Sequence, residues 1–351
     1  MRLFPRLLLA VAAAAALAAV PAAASAQTTR IPVGISDQNA LTFSNPLFGP
    51  LGMQYGRYVT PWDVMKDPTS YDAQQLDEWL TAAEEAGVEP LVSFNHSTGD
   101  DCPRRPCHKP TGAQYRKMFD AFMAKYPDVT TISPWNEANH MAQPTYKRPD
   151  LAALYYHVVK QECPACTVVA ADALDISNIA DWLAAFAKKA PDARLYGMHN
   201  YGDTNHFETD GIKTVLKTVK GDIWLTETGA ITSFVTSSGK VPFRPSDARV
   251  AKAMSYLFTK LLPVSSRIKR VYLYHWGADP KNRWDSALVD KTGKPRRVYS
   301  IVKSYNNPSG IPKTPPVLPT APPVTPITPT TPTDTTPEVP VGGVAAPAVA
   351  P

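Results

Sequence analysis

The chain has 351 residues, with 36 Lys and Arg against 31 Asp and Glu. A hydrophobic fraction of 44%, including seven Trp and fifteen Tyr, is enough to bury a large core, which excludes a wholly disordered chain. The net charge of +5 is spread along the sequence, and no block of Lys or Arg is dense enough to track phosphates, so nucleic acid is not an expected partner.

Residues 1–26 read as a secretory signal. Arg2 and Arg6 give a positive start, Leu7 to Val20 is an almost unbroken Leu/Ala/Val run, and Ala24-Ser25-Ala26 supplies small residues for cleavage. That run is short and alanine-rich for a membrane anchor, which needs about 20 strongly apolar residues. With no later apolar run of spanning length, an exported protein without a membrane span is expected, extracellular or associated with the cell wall. From Pro308 to Pro351 fourteen prolines fall in 44 residues, mixed with Thr and Val, which predicts an extended or disordered spacer.

Between these ends, residues 27–307 form one expected domain with no linker-like break. The predicted strands are Ile31–Ser36, Gly52–Tyr58, Glu89–Phe94, Val129–Trp135, Thr167–Asp172, Arg194–His199, Asp222–Thr226 and Lys269–His275. Helical patterns lie between most of them, at Ala73–Ala86, Gly112–Lys125, Pro149–Gln161, Ser177–Lys189, Asp210–Val219 and Pro245–Leu262, with a last one near Pro295–Ser304. The first connection, Asp37 to Leu51, is broken by Asn45-Pro46 and Gly49-Pro50. Eight strands alternating with helices predict an α/β fold, a (β/α)8 barrel, over an open doubly wound sheet. The absence of a glycine-rich fingerprint after any strand weakens a dinucleotide-binding reading.

Four cysteines in an exported chain predict disulfides, Cys102 with Cys107 and Cys163 with Cys166. A zinc site and a redox pair are the competing readings. Barrel geometry would hold the two pairs apart, and Cys163-Pro164-Ala165-Cys166 lacks the first-helix position that activates a thiol. His96, His108, His140, His199, His206 and His275 form no H-x-H or H-E-x-x-H pair, so neither a metal nor another cofactor is expected.

In a barrel the reacting groups sit at the carboxyl ends of the strands. There the sequence places Arg57, His96, Asn136, Glu137, Asp172, His199, Tyr201, Glu227 and Trp276. Two of these are glutamates closing apolar strands, Glu137 and Glu227. Paired carboxylates suit glycosidic cleavage, one attacking the anomeric carbon while the other protonates the leaving oxygen. Arg57 and Tyr201 are expected to hydrogen-bond the nucleophile, Asn136 a sugar 2-hydroxyl, and Trp276 to stack on a sugar ring. Asp172 has a blander reading, bonding only neighbouring backbone. Trp79 and Trp182 read as core, and the Asp100, Asp101, Arg104 and Arg105 loop as solvated. A catalytically silent barrel with Trp62, Trp135, Trp276 and Trp284 as a carbohydrate-binding platform is the alternative.

Trp135-Asn136-Glu137-Ala138-Asn139, followed 90 residues later by Thr226-Glu227-Thr228-Gly229, resembles glycoside hydrolase clan A. In that clan an Asn-Glu pair ends strand four and a Glu ends strand seven. The similarity covers Ile31 to about Tyr305 and includes Arg57 near strand two, His96 on strand three, His199-Asn200-Tyr201 on strand six and Trp276 on strand eight. It implies a retaining enzyme with Glu137 as acid/base and Glu227 as nucleophile. Within the clan the chain looks nearest to the cellulase-like and β-xylosidase-like families. Carbohydrate is the expected partner, and a monomer the expected state.

Overall fold

Val33–Ser36 and Ala170–Leu174 have every side chain buried. Strands covered on both faces require an outer helical layer and a filled interior, the arrangement of parallel α/β folds. The computed structural model describes residues 30–307 except 237, so the expected leader and the Pro/Thr-rich tail lie outside the described residues. The strands are β1 (Val33–Ser36), β2 (Tyr55–Pro61), β3 (Glu89–Asn95), β4 (Thr131–Ser133), β5 (Thr167–Val168), β6 (Ala170–Leu174), β7 (Leu195–His199), β8 (Asp222–Thr228), β9 (Ser233–Phe234), β10 (Ile268–Tyr274) and β11 (Trp284–Asp285). The helices are α1 (Leu41–Ser44), α2 (Tyr71–Glu85), α3 (Gly112–Lys125), α4 (Pro149–Glu162), α5 (Ile179–Lys189), α6 (Tyr201–His206), α7 (Asp210–Thr218), α8 (Asp247–Tyr256) and α9 (Arg297–Asn306).

Nine strands pair in the order β5-β4-β3-β2-β1-β10-β8-β7-β6, and every neighbouring pair is parallel. The two ends of that order, β5 and β6, are separated along the chain only by Val169. One stretch of chain therefore leaves β4 and joins β7, bringing the two edges of the sheet together as a nearly closed barrel. Ala171, with φ of 47°, lies in this stretch, and Val169 N donates to Ile132 O at 2.8 Å. The predicted fifth strand is thus two short ones. The predicted fourth shrinks to three residues because Pro134 has no N–H for the ladder. The (β/α)8 expectation stands, and the sheet order rules out the doubly wound alternative.

Local signals set the helix ends. Ser70 Oγ accepts from Ala73 N at the start of α2, and Thr111 with Gln114 forms a capping box on α3. The expected helix 245–262 ends in a wider turn over Leu257–Leu261 and a 3-10 turn over Leu262–Val264, where Pro263 interrupts the pattern. Both predicted disulfides are formed, Cys102–Cys107 and Cys163–Cys166. Asp100, expected in solvent, has a side chain only 1% exposed that accepts from His108 N and ring. Sequence patterning missed four of the elements named above: α1, α6, and the antiparallel pair of β9 with β11.

Trp79 ties the outer layer to the barrel wall. It is fully buried, lies 5.0 Å from Phe43 and 5.2 Å from Tyr58, and donates Nε1–H to Asp37 O at 2.8 Å. Trp79→Ala is therefore expected to cost about 3–5 kcal/mol, read as a lower midpoint in urea unfolding with an unchanged slope.

Candidate active site

The barrel interior is organised around one buried guanidinium. Arg57, on β2, has no exposed surface. Its Nη2 donates to Asp172 Oδ2 at 2.9 Å and to Asn136 Oδ1 at 2.6 Å, and its Nη1 to Glu227 Oε2 at 2.8 Å. Asp172, on β6, is equally buried. The β3–β4 register sets Ser93 beside Ser133, and both hydroxyls donate to Asp172 Oδ2, at 3.0 and 3.2 Å. Thr226 on β8 donates to its other oxygen. The reading of Asp172 as a mere backbone partner is corrected: it is the central counter-ion. Burial opposes its charge, but Arg57 and His199 outweigh that and hold it far below the ordinary carboxylate range. Space for it comes from Gly197 on β7, where a Cβ would lie 2.5 Å from Asp172 Oδ1.

The β7–β8 register sets His199 beside Glu227. His199 Nδ1 lies 3.2 Å from Glu137 Oε1 and 4.0 Å from Glu227 Oε1, and its Nε2 3.3 Å from Asp172 Oδ1. Burial alone would lower its pKa, but Glu227 and Asp172 push it up to about 10, so the ring is an imidazolium at neutral pH. It also lies 3.1 Å from Arg57 Nη2, a like-charge contact that the surrounding carboxylates offset. Because one nitrogen neighbours both glutamates, those two Oε1 atoms are at most about 7 Å apart, below the upper limit of roughly 9.5 Å for paired-carboxylate glycosidases.

Each glutamate is held on two sides. Glu227 Oε1 accepts from Tyr201 Oη at 2.8 Å, so Arg57 and Tyr201 occupy both of its oxygens. Glu137 Oε2 lies 3.8 Å from His140 Nδ1. Its backbone has φ of 45°, a left-handed conformation uncommon outside glycine and associated with functional sites. Asn136 N donates to Phe94 O and Ala138 N to Asp172 O, at 2.6 and 3.1 Å, fixing the turn between the neighbouring strands.

Residues 108–301 match the family model described as the glycosyl hydrolase catalytic core. The chain belongs to that family. Among solved structures, the hydrolase is similar to a family 39 glycoside hydrolase from Bacteroides cellulosilyticus WH2 (16% identity, TM-score 0.52, 79% of this chain and 64% of that one). It is similar also to an exo-β-1,4-mannosidase from Opitutaceae bacterium strain TAV5 (17%, 0.55, 80% and 60%). A third likeness is to xylanase 10B from Thermotoga petrophila RKU-1 in complex with xylobiose (12%, 0.56, 80% and 95%). The hydrolase thus spans less than two thirds of the first two. No curated protein matches it significantly in sequence. The family model and the fold shared with these structures agree on a glycosyl hydrolase catalytic core built on a (β/α)8 barrel.

Of the other sequence-derived positions in the hydrolase, Asn136 joins the network through Arg57, and His96 stands apart from it. His96 is half-buried, its Nδ1 3.0 Å from Ser97 O. Trp276 keeps only 6% of its surface exposed and packs edge-on against Phe48 at 5.8 Å, so the expected free stacking face is not presented. Trp135 and Trp284 are also buried, and an aromatic binding platform built on them is excluded. Trp79 and Trp182 are core, as expected. Sequence reading passed over several contributors, among them Asp37, Ser93 and Ser133. Asp37 Oδ2 accepts from Trp276 N at 2.7 Å, clamping the end of β1 to that of β10. Among the described residues, no cluster of three or more His, Cys, Asp or Glu side chains suits a metal ion, and no helix is long and apolar enough to cross a membrane.

The raised pKa of His199 has a signed consequence. Its charge stabilises the fold fully below about 6.5, the value in the unfolded chain, and that contribution disappears as pH climbs towards about 10. Thermal melting of the parent should fall across this interval more steeply than that of His199→Gln. Parallel curves would show that the ring is neutral in the fold.

Proposed function

We propose that the protein is an exported retaining O-glycosidase that cleaves a polysaccharide or oligosaccharide by double displacement, with Glu227 as nucleophile and Glu137 as general acid/base. The observation that carries this reading is the shared approach of both carboxylates to one nitrogen of His199. It brings them within reach of a single anomeric centre.

In the first step Glu227 attacks the anomeric carbon while Glu137 gives its proton to the departing oxygen, leaving a glycosyl ester on Glu227 and an anionic Glu137. In the second, Glu137 takes a proton from water, whose oxygen attacks the same carbon and frees Glu227. Arg57 and Tyr201 aim the nucleophile by occupying both of its oxygens. In this reading His199, lacking exposed surface, acts on the sugar through Glu137, while Asn136 and His96 meet the substrate. Export is supported by the amino-terminal signal pattern and by two disulfides, which persist in oxidising compartments.

Glu137→Ala and Glu227→Ala should each lower turnover of an activated aryl glycoside by about three decades, and azide should partly restore the Glu137 variant. Parent-like turnover in both variants would remove the assignment.

A further inference from the structure

The loop after β8 is unusual in charge: residues 229–246 contain Lys240 and Arg244 and no Asp or Glu. It is joined to the loop after β10 by the β9–β11 pair and by Val235 N donating to Arg283 O at 2.9 Å, and is folded on itself by the bridge between Phe234 and Phe243. The two loops thus form one flap with its own apolar centre, in which Ile231, Phe234, Phe243 and Trp284 pack with Tyr201. Trp284 meets the Tyr201 ring edge-on at 4.7 Å, and Tyr201 holds Glu227. The flap is therefore anchored directly behind the proposed nucleophile.

Lys240, Arg244, Lys281 and Arg283 are exposed on this flap, and none forms an ion pair among the described residues. Two carboxylates of the second loop are otherwise engaged. Asp285 takes Arg296 at 2.7 Å, and Asp279 caps its own turn through Lys281 N. Trp135, Trp276 and Trp284 are buried, so of the tryptophans near the carboxyl ends of the strands Trp62 alone keeps an intermediate exposure for stacking on a neutral chain. Four unpaired cations beside a catalytic mouth attract and concentrate anions over about one Debye length, near 8 Å at physiological salt.

We infer that the flap cations Lys240, Arg244, Lys281 and Arg283 select an anionic glycan, one bearing carboxylate or other acidic groups, as the substrate class. This deepens the glycosidase reading and rests on it for the chemistry, while the binding it entails is measurable without turnover.

Affinity electrophoresis of the full chain through gels containing polygalacturonate or its carboxyl-reduced form tests the inference. The parent should be retarded by polygalacturonate alone, and less so as salt rises. Joint reversal of the four flap cations to Glu should weaken that apparent affinity about tenfold. A control variant with Lys117, Lys188, Lys213 and Lys303 reversed to Glu carries the same net charge, its changes lying on exposed helix positions, and should behave like the parent. Equal loss in both variants, or equal retardation by the carboxyl-reduced polymer, overturns the inference. Parallel assays on neutral and on uronic-acid aryl glycosides separate the two ideas: no turnover of either kind by the parent defeats the glycosidase reading and leaves the electrophoretic result standing.

Discussion

A guanidinium with no access to water sets the terms for this barrel. Placing Arg57 in the interior carries a desolvation penalty of several kcal/mol, which close carboxylates and further hydrogen bonds must offset. Asp172 and Glu227 supply the charge, and Asn136 and two serine hydroxyls accept further bonds from Nη1 and Nη2, while the buried Nε has no partner among the described residues. The attraction is mutual, so each partner is immobilised by the others. Glu227 lies on β8 and Asn136 in the turn after β4, 91 residues apart in sequence, yet their positions are fixed through the same side chain. Preorganisation of that kind is what a site needs when it must stabilise charge without rearranging.

The network has two tiers. At the lower tier are groups without exposed surface, Arg57, Asp172 and His199; at the upper tier are Glu137 and Glu227, which retain 7% and 6%. The lower tier shapes the upper by position and charge. His199 links them, since its two nitrogens face carboxylates of different tiers. Tyr201 extends the arrangement outward, one face receiving Trp284 and the hydroxyl donating to Glu227. Conditions at the rim of the barrel are thereby connected to the orientation of one carboxylate.

Much of this was legible in the chain. Strands ending in Glu137, His199 and Glu227 were readable because apolar runs finish in polar residues and helical patterns separate them. The hub role of Asp172 was not, because its partners Ser93, Ser133 and Thr226 are small hydroxyl residues, distant in sequence and carrying no periodic signal. Trp276 misled for a related reason. A tryptophan at a strand end reads alike whether it faces a ligand or packs on Phe48, and Phe48 belongs to the irregular first connection. The two-residue strands β9 and β11 and the six-residue α6 are too short for periodicity to register.

Gly197 gives this architecture a vulnerability of its own. A methyl group there would occupy the space of Asp172 Oδ1 and crowd Thr226 Oγ1 at 3.0 Å, although glycine takes no part in any bond-making step. In a survey of variants, loss of function at this position would mimic that of a reacting residue while its origin is volume. Engineering that recruits the barrel for other substrates has freedom in the rim loops, whereas the sixth wall strand must keep a position without a side chain.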